Sequence, residues 1–286
     1  MISIVFLLVK EMIKHIKHIS QISEEFDTVI CGVNGVISKG HKIKKETIDT
    51  LIKMYQSGKK VAIASNSGAR VEDIFAFLKQ EGIPMSIFYA IITAGEIAHY
   101  YLKKQTSDMN TYFSLSDSSP NFLAGLHYQQ VDSVLMADFL LVGNTIMGYE
   151  IADCIPILEQ ASTVQLPMFC VGNNTSIFTD DGIKSAAGAI AEQYAMMGGK
   201  IFSFGKPDIR IAKYLTEGID YFQTSRCLVI GDDMATDMRM GATFEAKNLL
   251  ITSGIHQLKK GDVSAVNGLS KSFGLNVDYC MEELVW

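Results

Sequence analysis

Cysteine is sparse and shows no pairing pattern: five residues, Cys31, Cys154, Cys170, Cys227 and Cys280, an odd number without Cys-x-x-Cys spacing. That excludes a disulfide scaffold and predicts reduced, partly buried thiols in a cytoplasmic protein. Runs of lysine or arginine are missing too, and the formal net charge is −6. A nucleic-acid partner, which calls for a basic face, is not expected. Nor is there a long apolar run at the N-terminus: Ile2–Val9 spans eight residues, too few to cross a bilayer. It has neither the positive leader nor the small-residue cleavage site of a secretory signal. Stable membrane insertion is therefore not expected. Internal repeats, low-complexity tracts and disordered blocks are absent as well.

What is present is an apolar, foldable chain. Its 286 residues are 48% hydrophobic and 20% charged, enough for about two domains. Thr28–Gly32 is apolar nearly throughout, as a strand covered on both faces should be. Lys44–Ser57 follows as an amphipathic helix with Ile48, Leu51, Ile52 and Tyr55 on one stripe, ended at Gly58. Val61–Ala64 reads as the next strand, and Ser65-Asn66-Ser67-Gly68 turns into a helix carrying Ile74, Phe75 and Leu78. This rhythm predicts an α/β fold with a Rossmann-like parallel sheet and right-handed crossovers. After Ile91-Ile92-Thr93 it restarts, with strands at Asp138–Val142 and Met168–Val171 and helices at Tyr149–Ala161 and Ala186–Met197. Leu228–Ile230 and Leu249–Thr252 give two more buried strands. The division expected is an extension over 1–18, a core over 19–92 and 200–286, and an inserted α/β cap over 93–199. Upstream, residues 10–22 mix lysine, histidine and isoleucine, either as a packed extension or as sequence preceding a start at Met12.

Four stretches carry the chemistry: Asp27-Thr28-Val29-Ile30-Cys31-Gly32-Val33-Asn34-Gly35-Val36, Ala64-Ser65-Asn66, Gly205-Lys206-Pro207, and Gly231-Asp232-Asp233-Met234-Ala235-Thr236-Asp237. In this order they resemble the signature of the haloacid dehalogenase-like superfamily. The branch is class IIA, with its ribonucleotide monophosphatase-like and p-nitrophenyl phosphatase-like members. The pattern there is Asp-x-Asp-Gly-Val, Ser/Thr-Asn, Gly-Lys-Pro and Gly-Asp-x-x-x-Thr-Asp. Ile92–Glu96, Gly188–Ala191 and Ile251–Ile255 resemble the family as well, so the likeness runs from about 19 to 260. It implies a cap of the class IIA type between the second and third motifs. The first motif departs: aligned on Gly35-Val36, Gly32 stands at the nucleophile's place and Asn34 at the acid/base aspartate's. The Asn-Pro-Asp phrase of such caps is replaced by Gly172-Asn173-Asn174.

Phosphoryl transfer on this scaffold needs a carboxylate nucleophile, a carboxyl to protonate the leaving oxygen, and magnesium to neutralise the phosphate. Gly32 has no side chain, and the Asn34 amide cannot exchange a proton at neutral pH. Ser65 and Asn66, at a strand end, read either as phosphate-binding groups or as a plain cap. Lys206 reads as an anion counter-charge, otherwise as a surface lysine. Asp232 and Asp237, with the Asn34 backbone carbonyl, could hold a weakened magnesium site; the rival reading makes these carboxylates helix caps. Cys31 points away from the site by strand alternation, and Asp27 sits too far back. The leading expectation is thus a phosphatase-like protein with lost or strongly reduced activity that still binds a phosphorylated small molecule. A magnesium-dependent hydrolase with a non-standard nucleophile and a non-catalytic interaction protein, including a homodimer, are the alternatives.

Overall fold

The computed structural model describes residues 13–105, 109–116, 121–143 and 150–286. The run Ile2–Val9 and residue 149 lie outside the described residues. A seven-stranded parallel sheet forms the core, in the order Lys14–His15, Tyr279–Met281, Lys247–Ile251, Cys227–Gly231, Thr28–Cys31, Lys60–Ser65 and Phe88–Thr93. Thr28–Cys31 lies between two neighbours and is buried at every residue. Its alternation divides the core: Val29 and Cys31 pack into the apolar layer on one face, Ile30 into the layer on the other. Each such side chain contributes about 1.5–3 kcal/mol by leaving water.

Residues 13–18, read from the sequence as part of an extension, join this sheet. Lys14 and His15 pair with Tyr279 and Cys280, and Ile16 is buried in the core. The helical stripes are turned from their expected positions. Helix Lys45–Gln56 buries Thr47, Thr50, Leu51 and Met54, while Tyr55 is half-exposed. The sheet is met by the i, i+3, i+4, i+7 row starting at Thr47, one step away from the all-apolar row. Helix Val71–Gln80 buries Ile74 and Leu78 and leaves Phe75 outside.

A second, five-stranded parallel sheet runs Ile201–Phe204, Met168–Val171, Phe139–Gly143, Thr111–Ser114 and Gln129–Gln130. The fold is thus a parallel-sheet α/β core with an α/β cap. Ile201–Phe204 pairs with Met168–Val171 in this cap sheet, so the return to the core comes at Gly205 rather than at residue 200. A separate hairpin, Ser176–Thr179 with Gly182–Ser185, extends from the cap. Where the chain enters the cap, Thr93 caps helix Ala94–Lys104 by accepting from the Glu96 N–H at 2.9 Å. The Arg70 guanidinium grips the Glu96 carboxylate with two bonds, 2.7 and 3.0 Å, and holds its pKa below the usual range.

Candidate functional site

The carboxyl ends of the central strands open into a cavity of about 650 Å³ between the core and the cap. This is where ligands sit in open parallel sheets. Asn34, Ser65, Asn66, Lys206, Asp232 and Asp237 all line it. The residues singled out in the sequence therefore converge, although they come from four separate segments.

Strand Cys227–Gly231 delivers the acidic loop. Asp232 is buried and accepts from the Ile255 N–H at 2.8 Å. Burial first, then the charge of Asp237, push its carboxyl up to about 8. Asp237 is buried beside it and takes a bond from Lys206 Nζ at 2.7 Å. Its pKa is also raised by burial, against the pull of Lys206. Asp233 does the capping: its Oδ1 accepts from the Ala235 N–H at 2.8 Å, its Oδ2 from Asn174 Nδ2 at 2.7 Å. The helix-cap role falls to Asp233, while Asp232 and Asp237 line the cavity.

One lysine balances one of the two buried carboxylates, so ionising Asp232 as well needs a second positive charge, and an oxygen donor set of this kind fits a hard cation. Among the described residues, no group of three or more His, Cys, Asp or Glu is arranged to hold a metal. The loop Val33–Val36 closes over this pair. Gly35 has φ +82°, and a Cβ there would fall 1.8 Å from Asp232 Oδ2, so only glycine lets the loop pass.

Gly32 is different. A Cβ on it would lie 3.4 Å from Asp237 Oδ1, 3.5 Å from Val36 Cγ2 and 3.6 Å from the Ile230 carbonyl. These are ordinary contacts, so the position has room for a side chain aimed beside Asp237. Neither neighbouring candidate fills it. Cys31 is fully buried and its thiol is pushed far up by desolvation. Asp27 is paired with Arg226.

Asn34 faces the cap. Its Nδ2 donates to the Phe178 carbonyl at 2.9 Å and its Oδ1 accepts from the Phe178 N–H at 3.0 Å. His41, in the turn between Ser38–Lys39 and Lys42–Ile43, adds a second tie to the hairpin, its Nδ1 2.7 Å from Asp180 Oδ2. The hairpin was missed in the sequence, although Thr179-Asp180-Asp181-Gly182 between two alternating runs is a turn signal.

Ser65 Oγ accepts from the Ser67 N–H at 3.2 Å. Asn66 spends both polar atoms on the Lys206 backbone: Oδ1 accepts from its N–H at 2.6 Å, and Nδ2 donates to its carbonyl at 3.1 Å. Asn173 Nδ2 reaches that carbonyl as well, at 2.9 Å. Asn66→Ala is accordingly expected to cost about 1–3 kcal/mol in urea unfolding, by stripping a buried loop of two partners. A loss under 0.5 kcal/mol would sink that role, being within the usual range for surface changes.

Two family models match the chain: a haloacid dehalogenase-like hydrolase over residues 29–129 and a HAD-hydrolase-like family over 203–267. Together they cover more than half of it, the first running from the core into the cap and the second lying almost wholly in the returning core. The chain belongs to the haloacid dehalogenase-like superfamily. Solved structures with the same fold include a haloacid dehalogenase-like hydrolase from Brucella suis 1330, 18% identical with TM-score 0.78, covering 94% of this chain and 100% of that one. A p-nitrophenyl phosphatase from Archaeoglobus fulgidus is 18% identical with TM-score 0.66, covering 91% and 97%. The glycerol phosphate phosphatase Rv1692 from Mycobacterium tuberculosis, solved with magnesium, is 17% identical with TM-score 0.60, covering 82% and 70%. No curated protein sequence matches the chain. This superfamily member shares the class IIA architecture of core plus cap. No helix among its described residues is long and apolar enough to cross a membrane.

Proposed function

We propose that this chain binds a phosphorylated small molecule between core and cap and has lost, or nearly lost, phosphomonoesterase activity. The observation that carries the reading is Gly32: an empty side-chain position beside the buried Lys206–Asp237 pair. Without a carboxylate there, no covalent phosphoryl intermediate can form on this strand. Asp232 and Asp237, with the Asn34 carbonyl, would hold magnesium, which neutralises phosphate charge when bound. Lys206 and the Ser65 hydroxyl would face the phosphate. Removing one negative charge at position 32 also removes a repulsion against that anion, so binding outlives catalysis.

The test is thermal unfolding with magnesium, inorganic phosphate and a set of phosphate esters. A ligand at 100 times its Kd should stabilise the fold by about 2.7 kcal/mol. No shift with any of them would overturn the binding half of the proposal. Magnesium-dependent turnover by purified protein, abolished in Asp232→Ala, would overturn the other half.

A further inference from the structure

We infer, independently of what the cavity binds, that protein groups alone fasten the cap to the core and that the Asn34 side chain is the latch. Asn34 stands in a tight loop whose Ile37 and Ser38 N–H groups both donate to the Val33 carbonyl, at 2.8 and 2.9 Å. Gly35, next in line, packs on Asp232, so the amide projects from a fixed base. It meets the cap hairpin, Ser176–Thr179 with Gly182–Ser185, at the Phe178 N–H and carbonyl. Those two groups are what a strand edge offers to a neighbour. An amide suits both, since it carries a donor and an acceptor on one planar group.

The core hairpin that follows, Ser38–Lys39 with Lys42–Ile43, continues the contact. The His41 N–H donates to Asp180 Oδ1 at 2.9 Å, beside the ring contact to Oδ2. Gly40, with φ +61°, lies so near the cap turn that a Cβ there would fall 2.4 Å from Asp180 Oδ1 and 2.9 Å from the Thr179 carbonyl carbon. Lys39 Nζ sits 5.5 Å from the centre of the Phe178 ring while donating to the Ser253 carbonyl at 2.8 Å. Turn thus meets turn along one seam, and residues on both sides of it line the cavity.

His41 and Asp180 are exposed, and such a pair adds little by itself. Asn34 and Phe178 are half-buried, where water competes less for their bonds, so the amide carries most of the seam. Asn121–Asp73, Asn173–Lys206 and Asn174–Asp233 also join cap to core. Parting the cap breaks all of these ties, and losing the latch shifts that equilibrium by its own share. A molecule too large for the mouth of the cavity has to wait for the seam to part.

Thiol labelling of the full chain carrying Ser67→Cys tests this. Position 67 lines the cavity from the core, and the five native cysteines are buried. The readout is the rate with a maleimide bearing a bulky dye, divided by the rate with iodoacetamide. Adding Asn34→Ala should raise that ratio about tenfold, the factor that corresponds to losing two modest hydrogen bonds. Asp180→Ala, on an exposed turn, should raise it in the same direction should the first variant fold poorly. Asp181→Ala, whose carboxylate faces Lys184 within the cap hairpin, should leave it unchanged. A ratio unmoved by both Asn34→Ala and Asp180→Ala would overturn the inference, as would an equal rise in Asp181→Ala. A rise in the two seam variants, with magnesium and inorganic phosphate slowing neither reagent, would overturn the binding proposal and leave the latch standing.

Discussion

The double variant Gly32→Asp/Asn34→Asp is expected to hydrolyse phenyl phosphate in magnesium on the order of 10^6 times faster than the unaltered chain, the size of loss that follows removal of a catalytic nucleophile. That corresponds to about 8 kcal/mol of barrier. Position 32 has room for a Cβ, whose nearest neighbour would be Asp237 Oδ1 at 3.4 Å. Position 34 is more exacting. Its amide both donates to and accepts from the Phe178 backbone. A neutral carboxyl reproduces both bonds, with its O–H donating to the carbonyl. An ionised one sets negative oxygen against that carbonyl. The cap contact therefore favours the protonated form, which is the form a general acid needs. Gly32→Asp alone should recover the covalent step, and the second substitution should add about 10^2–10^4, the usual contribution of a positioned acid. Its activity should fall toward high pH as that carboxyl ionises. A folded double variant with no gain in kcat/KM would count against the proposal.

Lys206→Met should lower stability by about 3–5 kcal/mol in urea unfolding, since it strands a buried carboxylate. Both members of the Lys206–Asp237 pair are at least 95% buried, and Asp232 stands alongside. The control is Lys206→Met with Asp237→Leu, which removes the stranded charge and should regain most of the loss. A single variant as stable as the parent would mean the pair contributes nothing to folding.

The same cluster fixes a pH dependence. Asp232 keeps its proton up to about pH 8 in the folded chain, against roughly 3.9 when unfolded. Between these values the folded state binds the extra proton, so stability is greatest at the acid end and falls as pH rises through the window. Magnesium, favouring the ionised carboxylates, should flatten the slope. Melting temperatures that rise from pH 5 to pH 8 without metal would contradict this.

The central strands of both sheets were legible because a parallel strand buried on both faces writes itself as an unbroken apolar run; Met168–Val171 in the cap has the same bounds in sequence and structure. The edges were not. Lys14–His15 and Tyr279–Met281 are too short for any period to show, and they become strands only by pairing with each other and with Lys247–Ile251. Helix Val263–Phe273 carries its end signals, Asp262 bonding the Ala265 N–H and Gly274 left-handed beyond it, but Gly268 and its serines blur the stripe. In the site, residue types pointed to the right loops and could not assign their partners. Adjacent Asp232 and Asp233 look alike as letters; the Ile255 N–H holds the first and the Ala235 N–H makes the second a helix cap. The work of Asn66, Asn173 and Asn174 depends on contacts made across more than thirty residues, which no local pattern records.

Those asparagines bear on how separable the two halves of the molecule are. Asn173 and Asn174 belong to the cap, yet they hold the Lys206 carbonyl and Asp233 on the core side. Transplanting another protein's cap onto this core would therefore leave the acidic loop short of a ligand-independent brace. The insert is not a detachable module here, and chimeras meant to change what it recognises would have to carry Gly172-Asn173-Asn174 across with them.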